Sequence, residues 1–215
     1  MTRGFFVTVD GPSGVGKSTT IAALHRLLEG QGVQALLTTE PSPTALGNFT
    51  RQHAGELRGF SLACLVVAAR YEHVETTVIP ALDRGQLLVS DRYVASTLVL
   101  QRLDGVPLSY LLDINRHVPN PDLAVILTAL PDTITERIAR AGVTHRFRGD
   151  PDGPARELRF YEEAAAALEE RGVDVLRLDS STATPSGVAG RIADAITDRR
   201  LPSVLSQALP PPQES

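Results

Sequence analysis

The stretch that decides the fold is Asp10-Gly11-Pro12-Ser13-Gly14-Val15-Gly16-Lys17-Ser18-Thr19. It matches the pattern G-x-x-x-x-G-K-[ST] completely, with the fixed positions held by Gly11, Gly16, Lys17 and Ser18. Aromatic and β-branched residues at 5–9 predict a buried strand before it, and the amphipathic residues 19–28 predict a helix after it. A strand, a glycine loop and a helix in this order bring backbone N–H groups and the positive helix end onto one phosphate. The sequence therefore predicts a nucleotide-binding loop.

Two side chains of this loop carry its expected chemistry. Lys17 should reach the outer phosphates as an exposed point charge, and Ser18 should ligate Mg²⁺. Lys17 is also the only lysine of the chain. Because GTPases read guanine through an Asn-Lys-x-Asp motif, which needs a second lysine, that class is excluded.

Length and composition indicate one ordinary globular domain. The chain has 215 residues, of which 42% are hydrophobic and 21% are charged. Its net charge of −4 gives no reason to expect a nucleic acid or an anionic membrane as partner. No stretch approaches the roughly 18 apolar residues of a membrane span, and residues 1–3 lead straight into a strand rather than into a signal peptide. We therefore expect a cytoplasmic protein.

Strands and helices alternate along the rest of the chain, which indicates a parallel sheet covered by helices on both faces. Further strands are predicted at 33–39, 86–90, 123–128 and 173–178. Longer helices are predicted at 60–82, 131–141, 155–170 and 185–198, with two short ones between about 94 and 117. We expect one domain over residues 1–200, with a polar, glycine-bearing lid at about 142–154. A proline-rich tail, 201–215, is expected to lie loosely on its surface.

Charged side chains follow the first three predicted strands directly. Asp10, Glu40 and the pair Asp91-Arg92 stand at these strand ends. Because the carboxyl ends of parallel strands share one edge of the sheet, we expect them beside the glycine loop. Asp91 is placed to hold Mg²⁺ through water, and Arg92 to bind a second anion bidentately. Further arginines, which suit a lid closing on phosphates, follow the fourth strand at Arg137, Arg140, Arg146 and Arg148.

These residues, together with several other segments, resemble those of the thymidylate kinase family from about Phe5 to Leu178. The segments that carry the resemblance beside the glycine loop are Thr39-Glu40-Pro41, Ala68-Ala69-Arg70, Val78-Ile79-Pro80-Ala81-Leu82-Asp83-Arg84-Gly85, Asp91-Arg92-Tyr93-Val94-Ala95-Ser96, Pro121-Asp122-Leu123 and Arg146-Phe147. The resemblance implies a P-loop NTPase three-layer sandwich with strand order 2-3-1-4-5. It also implies Mg-ATP as donor, a pyrimidine nucleoside monophosphate, dTMP first, as acceptor, and a homodimer packed through helices.

The resemblance also assigns roles to residues. It implies that Arg92 holds the acceptor phosphate, that Arg70 contacts the pyrimidine O4, and that Arg140 or Arg146 is the lid arginine. The catalytic set is then Lys17, Asp91, Arg92, Arg140 and Arg146. The substrate-binding set is Asp10, Glu40, Val66, Arg70, Arg92 and Thr97. The chain departs from the family's pattern at four positions around the acceptor. Ser13 replaces an acidic residue, Thr39 replaces an arginine, and Val66 and Leu100 replace aromatic residues. We therefore expect a remodelled acceptor pocket, with a modified or different pyrimidine nucleotide as the alternative acceptor to dTMP.

Two other functions fit the same residues. The chain could phosphorylate a hydroxyl of a nucleoside or natural product, with Glu40 as the base that takes the proton. It could also be a P-loop ATPase that acts as a switch, although the arginine-rich lid argues against this. A monophosphate acceptor needs no base, because its phosphate is already largely anionic, with a second pKa of about 6.

Overall fold

The computed structural model of the chain describes residues 3–141 and 152–208, with the side chains of 3–140 and 152–200. Its five strands are β1 Phe5–Asp10, β2 Ala35–Thr39, β3 Leu87–Asp91, β4 Leu123–Thr128 and β5 Val175–Asp179. All neighbouring strands run parallel, in the order β2-β3-β1-β4-β5. The predicted fold class and strand order are therefore confirmed.

The helices cover both faces of this sheet. They are α1 Lys17–Gly30, α2 Ala45–His53, α3 Gly59–His73, α4 Ile79–Asp83, α5 Val94–Leu103, α6 Leu108–Ile114, α7 Pro131–Ala141, α8 Gly153–Glu170 and α9 Pro185–Ala208. One core packs α1 and α9 against β1, β3 and β4, with Leu24 and Ile192 fully buried. The other packs α3, α5 and α8 on the opposite face around Phe6, Leu98 and Tyr161.

The long helix predicted at 60–82 is helical throughout but not uniform. A π-helical turn, Val74–Val78, joins α3 to α4. It keeps Val74 and Val78 in the core on either side of exposed residues. An i→i+5 turn of this kind is rare and is often found at functional sites, and here it follows directly on the buried His73.

Other element ends differ from the prediction. The segment 45–53 forms α2, which the sequence did not predict, and Thr44 caps it by accepting a hydrogen bond from the Gly47 N–H. The last helix runs past the predicted tail boundary at residue 200, to Ala208. α8 begins at Gly153, inside the predicted lid, and 142–151 lie outside the described residues.

No helix in the described ranges is long and apolar enough to cross a membrane.

Candidate active site

The glycine loop has a backbone that only glycine adopts freely. Gly11, Gly14 and Gly16 have φ of 147°, 78° and 101°, all in the region that L side chains rarely enter. Gly11 is also packed tightly, because a Cβ there would lie 2.4 Å from the Leu127 carbonyl oxygen. Gly16 directly precedes the first residue of α1. The unbonded N–H groups of that helix end therefore point to the mouth of the loop, as a phosphate site requires.

Lys17 is buried rather than exposed, so the expectation of a solvated loop lysine is wrong. Only 7% of its surface is accessible, and its Nζ donates to the carbonyl oxygens of Gly11 and Pro12, 2.8 Å away in each case. Burial, followed by the positive charge of Arg92, lowers the pKa of Lys17 to about 7, against the opposing charges of Asp91, Asp10 and Glu157. The loop backbone thus folds around the amino group of its lysine.

The residues expected to hold a magnesium ion lie together. The Ser18 hydroxyl, at the start of α1, donates to Asp91 Oδ2 at the end of β3 over 2.9 Å. A hydroxyl and a carboxylate are oxygen ligands of the kind that Mg²⁺ takes, with the rest of its shell from phosphate and water. Among the described residues no group of three or more His, Cys, Asp or Glu could ligate a metal. The pair therefore fits an ion shared with a nucleotide, not a closed protein cage.

A cavity of about 560 Å³ opens at the loop and has room for a nucleotide. Of the predicted loop residues, Ser13 through Thr19 line it. Sequence reasoning missed its far wall, formed by Ser180, Ala183, Pro185 and Val188 after β5. Arg137 of α7, which was predicted as a lid cation, instead braces the loop by donating to the carbonyl oxygens of Val15 and Ser180, 3.2 Å and 2.8 Å away. We call this space the donor cavity.

The charged groups predicted for the strand ends do meet at one edge of the sheet. Val9 and Thr39 both pair with Asp91 across the sheet, which sets Asp10 and Glu40 on either side of it. Asp10 is fully buried, and its Oδ1 accepts hydrogen bonds from the N–H groups of Tyr93 and Ser96, at the start of α5. Burial raises the pKa of this carboxyl, although these hydrogen bonds oppose the shift. In the part of the chain that the structure describes, nothing donates to its Oδ2.

Arg92 stands between two cavities. It has a φ of 75° and is the one non-glycine residue with positive φ among those described. Its N–H donates to the Val9 carbonyl oxygen and its Nη1 to the Ser96 hydroxyl, over 3.0 Å and 3.1 Å. A residue whose backbone is held in such a strained conformation is typical of a functional position. Arg92 lines both the donor cavity and a second one.

This second space, which we call the acceptor cavity, has a volume of about 230 Å³. Its walls come from α2, α3 and α5, and the predicted residues that line it are Glu40, Val66, Arg70, Arg92, Thr97 and Leu100. Sequence reasoning missed Gln101, whose side chain is 3% exposed. Its Oε1 is buried and has no donor within hydrogen-bonding distance among the described residues. A buried acceptor of this kind is a candidate for contact with a ligand.

A buried network forms the floor of the acceptor cavity. Arg70, 2% exposed, donates through Nε to Glu40 Oε2 over 2.8 Å and through Nη2 to the Thr97 hydroxyl over 2.8 Å. Its Nη1 donates to Asn115 Oδ1 over 2.6 Å. The guanidinium is thus held by protein groups on several sides while one face remains at the cavity. Unlike Lys17, it is fixed before any ligand arrives.

Of the two predicted lid arginines, Arg140 lines neither cavity. Arg140 lies on the exposed face of α7, with 79% of its side chain accessible, and pairs with Glu136 over 3.3 Å. Arg146 lies outside the described residues. Sequence reasoning missed Glu157 of α8, which is close enough to Lys17 and Arg92 to feel their charges. It is 1% exposed, and burial raises its pKa against the charges of Lys17 and Arg92.

Fold and site together define the class: a P-loop α/β protein with a nucleotide cavity and a second ligand cavity that meet at one arginine. The profile of the family described as thymidylate kinase matches residues 9–172. The thymidylate kinase of Nitrosomonas europaea is 38% identical over 179 residues, which are 80% of each chain. The chain belongs to the thymidylate kinase family.

Other relatives match over a shorter part of their length. A probable thymidylate kinase of Pyrococcus abyssi is 38% identical over 58% of this chain and 65% of its own. The thymidylate kinase of Xanthomonas oryzae pv. oryzae is 36% identical over 65% of this chain and 62% of its own. The chain thus spans somewhat less than two thirds of the length of these two relatives.

Proposed function

We propose that the chain transfers a phosphoryl group from Mg-ATP to a pyrimidine nucleoside monophosphate, and that dTMP, giving dTDP, is the first acceptor to consider. The observation that carries this proposal is the position of Arg92. This residue lines both the donor cavity at the glycine loop and the neighbouring acceptor cavity. In-line transfer needs two anions that face each other across a positive charge, since it depends on positioning and charge neutralisation rather than on covalent help.

On the donor side, the loop backbone and the N-terminus of α1 bind the ATP phosphates. Lys17 leaves its two carbonyl partners, Gly11 and Pro12, and follows the outer phosphates as an ammonium ion. Ser18 and Asp91 hold the magnesium ion, whose role when bound is to neutralise charge on the β- and γ-phosphates. Arg140 and Arg146 remain the candidates for a lid arginine that excludes water.

On the acceptor side, Arg92 binds the phosphate and the pyrimidine enters between α3 and α5. Gln101 Oε1 is placed to accept the N3–H of a thymine or uracil, because it is buried at the cavity without a donor in the described structure. Arg70 can offer its second Nη1–H to O4, since the first goes to Asn115. Val66 and Leu100 give the base aliphatic walls. The flat stacking partners that the family keeps at these two positions are therefore missing.

The contacts of Glu40 weigh against the hydroxyl kinase. Its Oε2 accepts from Arg70 and its Oε1 lies 3.2 Å from His73 Nδ1. A base engaged on both oxygens is poorly placed to take a substrate proton, whereas an anionic acceptor needs no base. The presence of a second cavity beside the donor cavity weighs against the ATPase switch, which has no use for a second ligand. A homodimer and a cytoplasmic location stay predictions.

The proposal is tested by identifying both products. The chain is incubated with ATP, Mg²⁺ and dTMP, and the nucleotides are separated by ion-exchange chromatography. We expect ADP and dTDP in equal amounts, and neither with Lys17→Met, which keeps the aliphatic stem but removes the charge. ADP without dTDP would refute the transfer.

A further inference from the structure

One titratable side chain next to the acceptor cavity has no role in the proposed transfer. His73 is the last residue of α3 and is fully buried, with 0% of its surface exposed. It lines neither cavity. Its two ring nitrogens nevertheless reach two groups at the end of β2. Nε2 lies 2.7 Å from the Thr38 hydroxyl, and Nδ1 lies 3.2 Å from Glu40 Oε1.

The chemistry of these partners determines which nitrogen of His73 carries the proton. Glu40 is paired with the guanidinium of Arg70, so its carboxylate can only accept. Nδ1 must therefore be the N–H that donates to Oε1. In a neutral imidazole Nε2 is then the acceptor, and the Thr38 hydroxyl donates to it. The imidazole is locked as the Nδ1-protonated tautomer.

As a result, the two carboxylate oxygens of Glu40 contact two different residues of α3. Oε2 lies 2.8 Å from Arg70 Nε and 2.6 Å from Nη2, whereas Oε1 faces His73. Arg70 and His73 are three residues apart, so they point to the same side of α3. Without the Nδ1–H, the carboxylate could rotate about its terminal bond and would hold the guanidinium less firmly. Asn115 and Thr97 would then be its remaining side-chain partners.

We propose that His73 is a positioning residue for the acceptor: its Nδ1–H fixes the plane of the Glu40 carboxylate and thereby aims Arg70 into the acceptor cavity. The effect on catalysis rests on the proposed function, whereas the tautomer and the orientation of Arg70 do not. A series of hydrogen bonds from Thr38 through His73 and Glu40 to Arg70 thus connects the end of β2 with the floor of the acceptor cavity. His73, in the middle of this series, does not contact the substrate.

Two variants separate the two hydrogen bonds of the imidazole. In His73→Asn the amide nitrogen can stand near the place of Nδ1 and donate to Glu40, while the contact to Thr38 is lost. In His73→Gln the amide reaches toward Thr38, while the donor to Glu40 is lost. Each variant removes one hydrogen bond of the imidazole and keeps the other. If only the packing of the ring mattered, the two variants would therefore be impaired to the same extent.

The kinetic readout is the Michaelis constant of each substrate. We expect His73→Gln to raise the KM of the acceptor about tenfold, as befits the loss of a hydrogen bond to a charged group. The KM of ATP should stay within roughly twofold, and His73→Asn should recover most of the acceptor KM. Equal losses in both variants, or a parallel rise in the KM of ATP, would overturn the proposal.

A second readout needs no substrate and distinguishes this proposal from the function on which it rests. Histidine ¹⁵N spectra of the wild-type protein should show a proton on Nδ1 of His73. The Arg70 Nε–H resonance, assigned through Arg70→Lys, should stay protected from exchange in the wild type and in His73→Asn and become labile in His73→Gln. An Nε2–H tautomer, or an Arg70 resonance unaffected by His73→Gln, refutes the positioning role even if transfer occurs. The expected spectra without any transfer would refute the function alone.

Discussion

Lys17 is buried, although its proposed role at the phosphates requires it to be an ammonium ion. Its folded-state pKa of about 7 lies below the ordinary value of 10.5, chiefly through burial. Between these two pH values the unfolded chain keeps a proton that the folded chain has lost. The free energy of unfolding must then rise with pH across that window, by up to about 1.4 kcal/mol per pH unit.

We therefore expect the nucleotide-free protein to gain stability from pH 7 to about 9.5, relative to Lys17→Met, in urea titrations at each pH. The variant is the matched control because it keeps the stem and cannot titrate. Parallel profiles for the two proteins would show that Lys17 stays charged in the empty loop.

Arg92 lies between the two cavities, and its removal should mainly affect the acceptor. A hydrogen bond to a charged group contributes about 1.5–3 kcal/mol, so Arg92→Ala should raise the acceptor KM roughly tenfold to a hundredfold. Arg92→Lys is the control, since it keeps the charge but not the planar fork. Steady-state kinetics in each substrate separate the effects. A rise in the KM of ATP with no change for the acceptor would place Arg92 on the donor side.

At this scale the sequence identified most of the site residues but not their surroundings. The glycine pattern and the strand-end positions were sufficient for Ser18, Asp10 and Asp91, because motif spacing and parallel topology determine where they lie. The burial of Lys17 depends on the three-dimensional path of the loop backbone, which a local sequence pattern does not predict. Gln101 was missed because a glutamine in a helix is expected to be exposed. Only the neighbouring elements that form the acceptor cavity show that it is buried.

Helix α2 is held against the segment before it at Gly47. A Cβ at that position would lie 2.1 Å from the Ser42 carbonyl oxygen, and Ser42 lines the acceptor cavity. Gly47→Ala should therefore destabilise the protein although alanine favours helices, and it should raise the acceptor KM. Thermal unfolding and acceptor kinetics check both expectations.

Gly190 provides the matched comparison. It also lies inside a helix, α9, but a Cβ there would meet nothing within 4 Å. Gly190→Ala should thus stabilise the protein by about 0.5–1 kcal/mol and leave the acceptor KM unchanged. If both variants behave alike, the close approach of α2 to Ser42 does not shape the acceptor cavity.

The elements that sequence reasoning missed have physical causes. α2 spans nine residues with a glycine inside and prolines just before it, so its local signal is weak. Its helical state depends on packing against α3 rather than on propensity. The π-helical turn after His73 likewise leaves no trace in the hydrophobic pattern, because it shifts the helix by a single residue while Val74 and Val78 stay buried.

For the whole molecule, the alternation of strands and helices was sufficient to predict a parallel sheet. The resemblance to the family predicted the order of its strands. Neither could show that the two cavities meet at Arg92, since their walls come from segments far apart in the chain. The donor cavity joins the loop to residues after β5, and the acceptor cavity joins α2 to α5. Dependence on an acceptor is therefore the central prediction of the proposed function.

The most direct measurement of that property is the rate of ADP formation with dTMP, dUMP, UMP, dCMP, CMP and thymidine, and with no acceptor. The account predicts ADP only with pyrimidine monophosphates. It also predicts higher kcat/KM for dTMP and dUMP than for dCMP, because Arg70 can only donate to position 4 and Gln101 Oε1 needs an N3–H, which cytosine lacks. ADP formed as fast without an acceptor, or with thymidine as well as with dTMP, would contradict it.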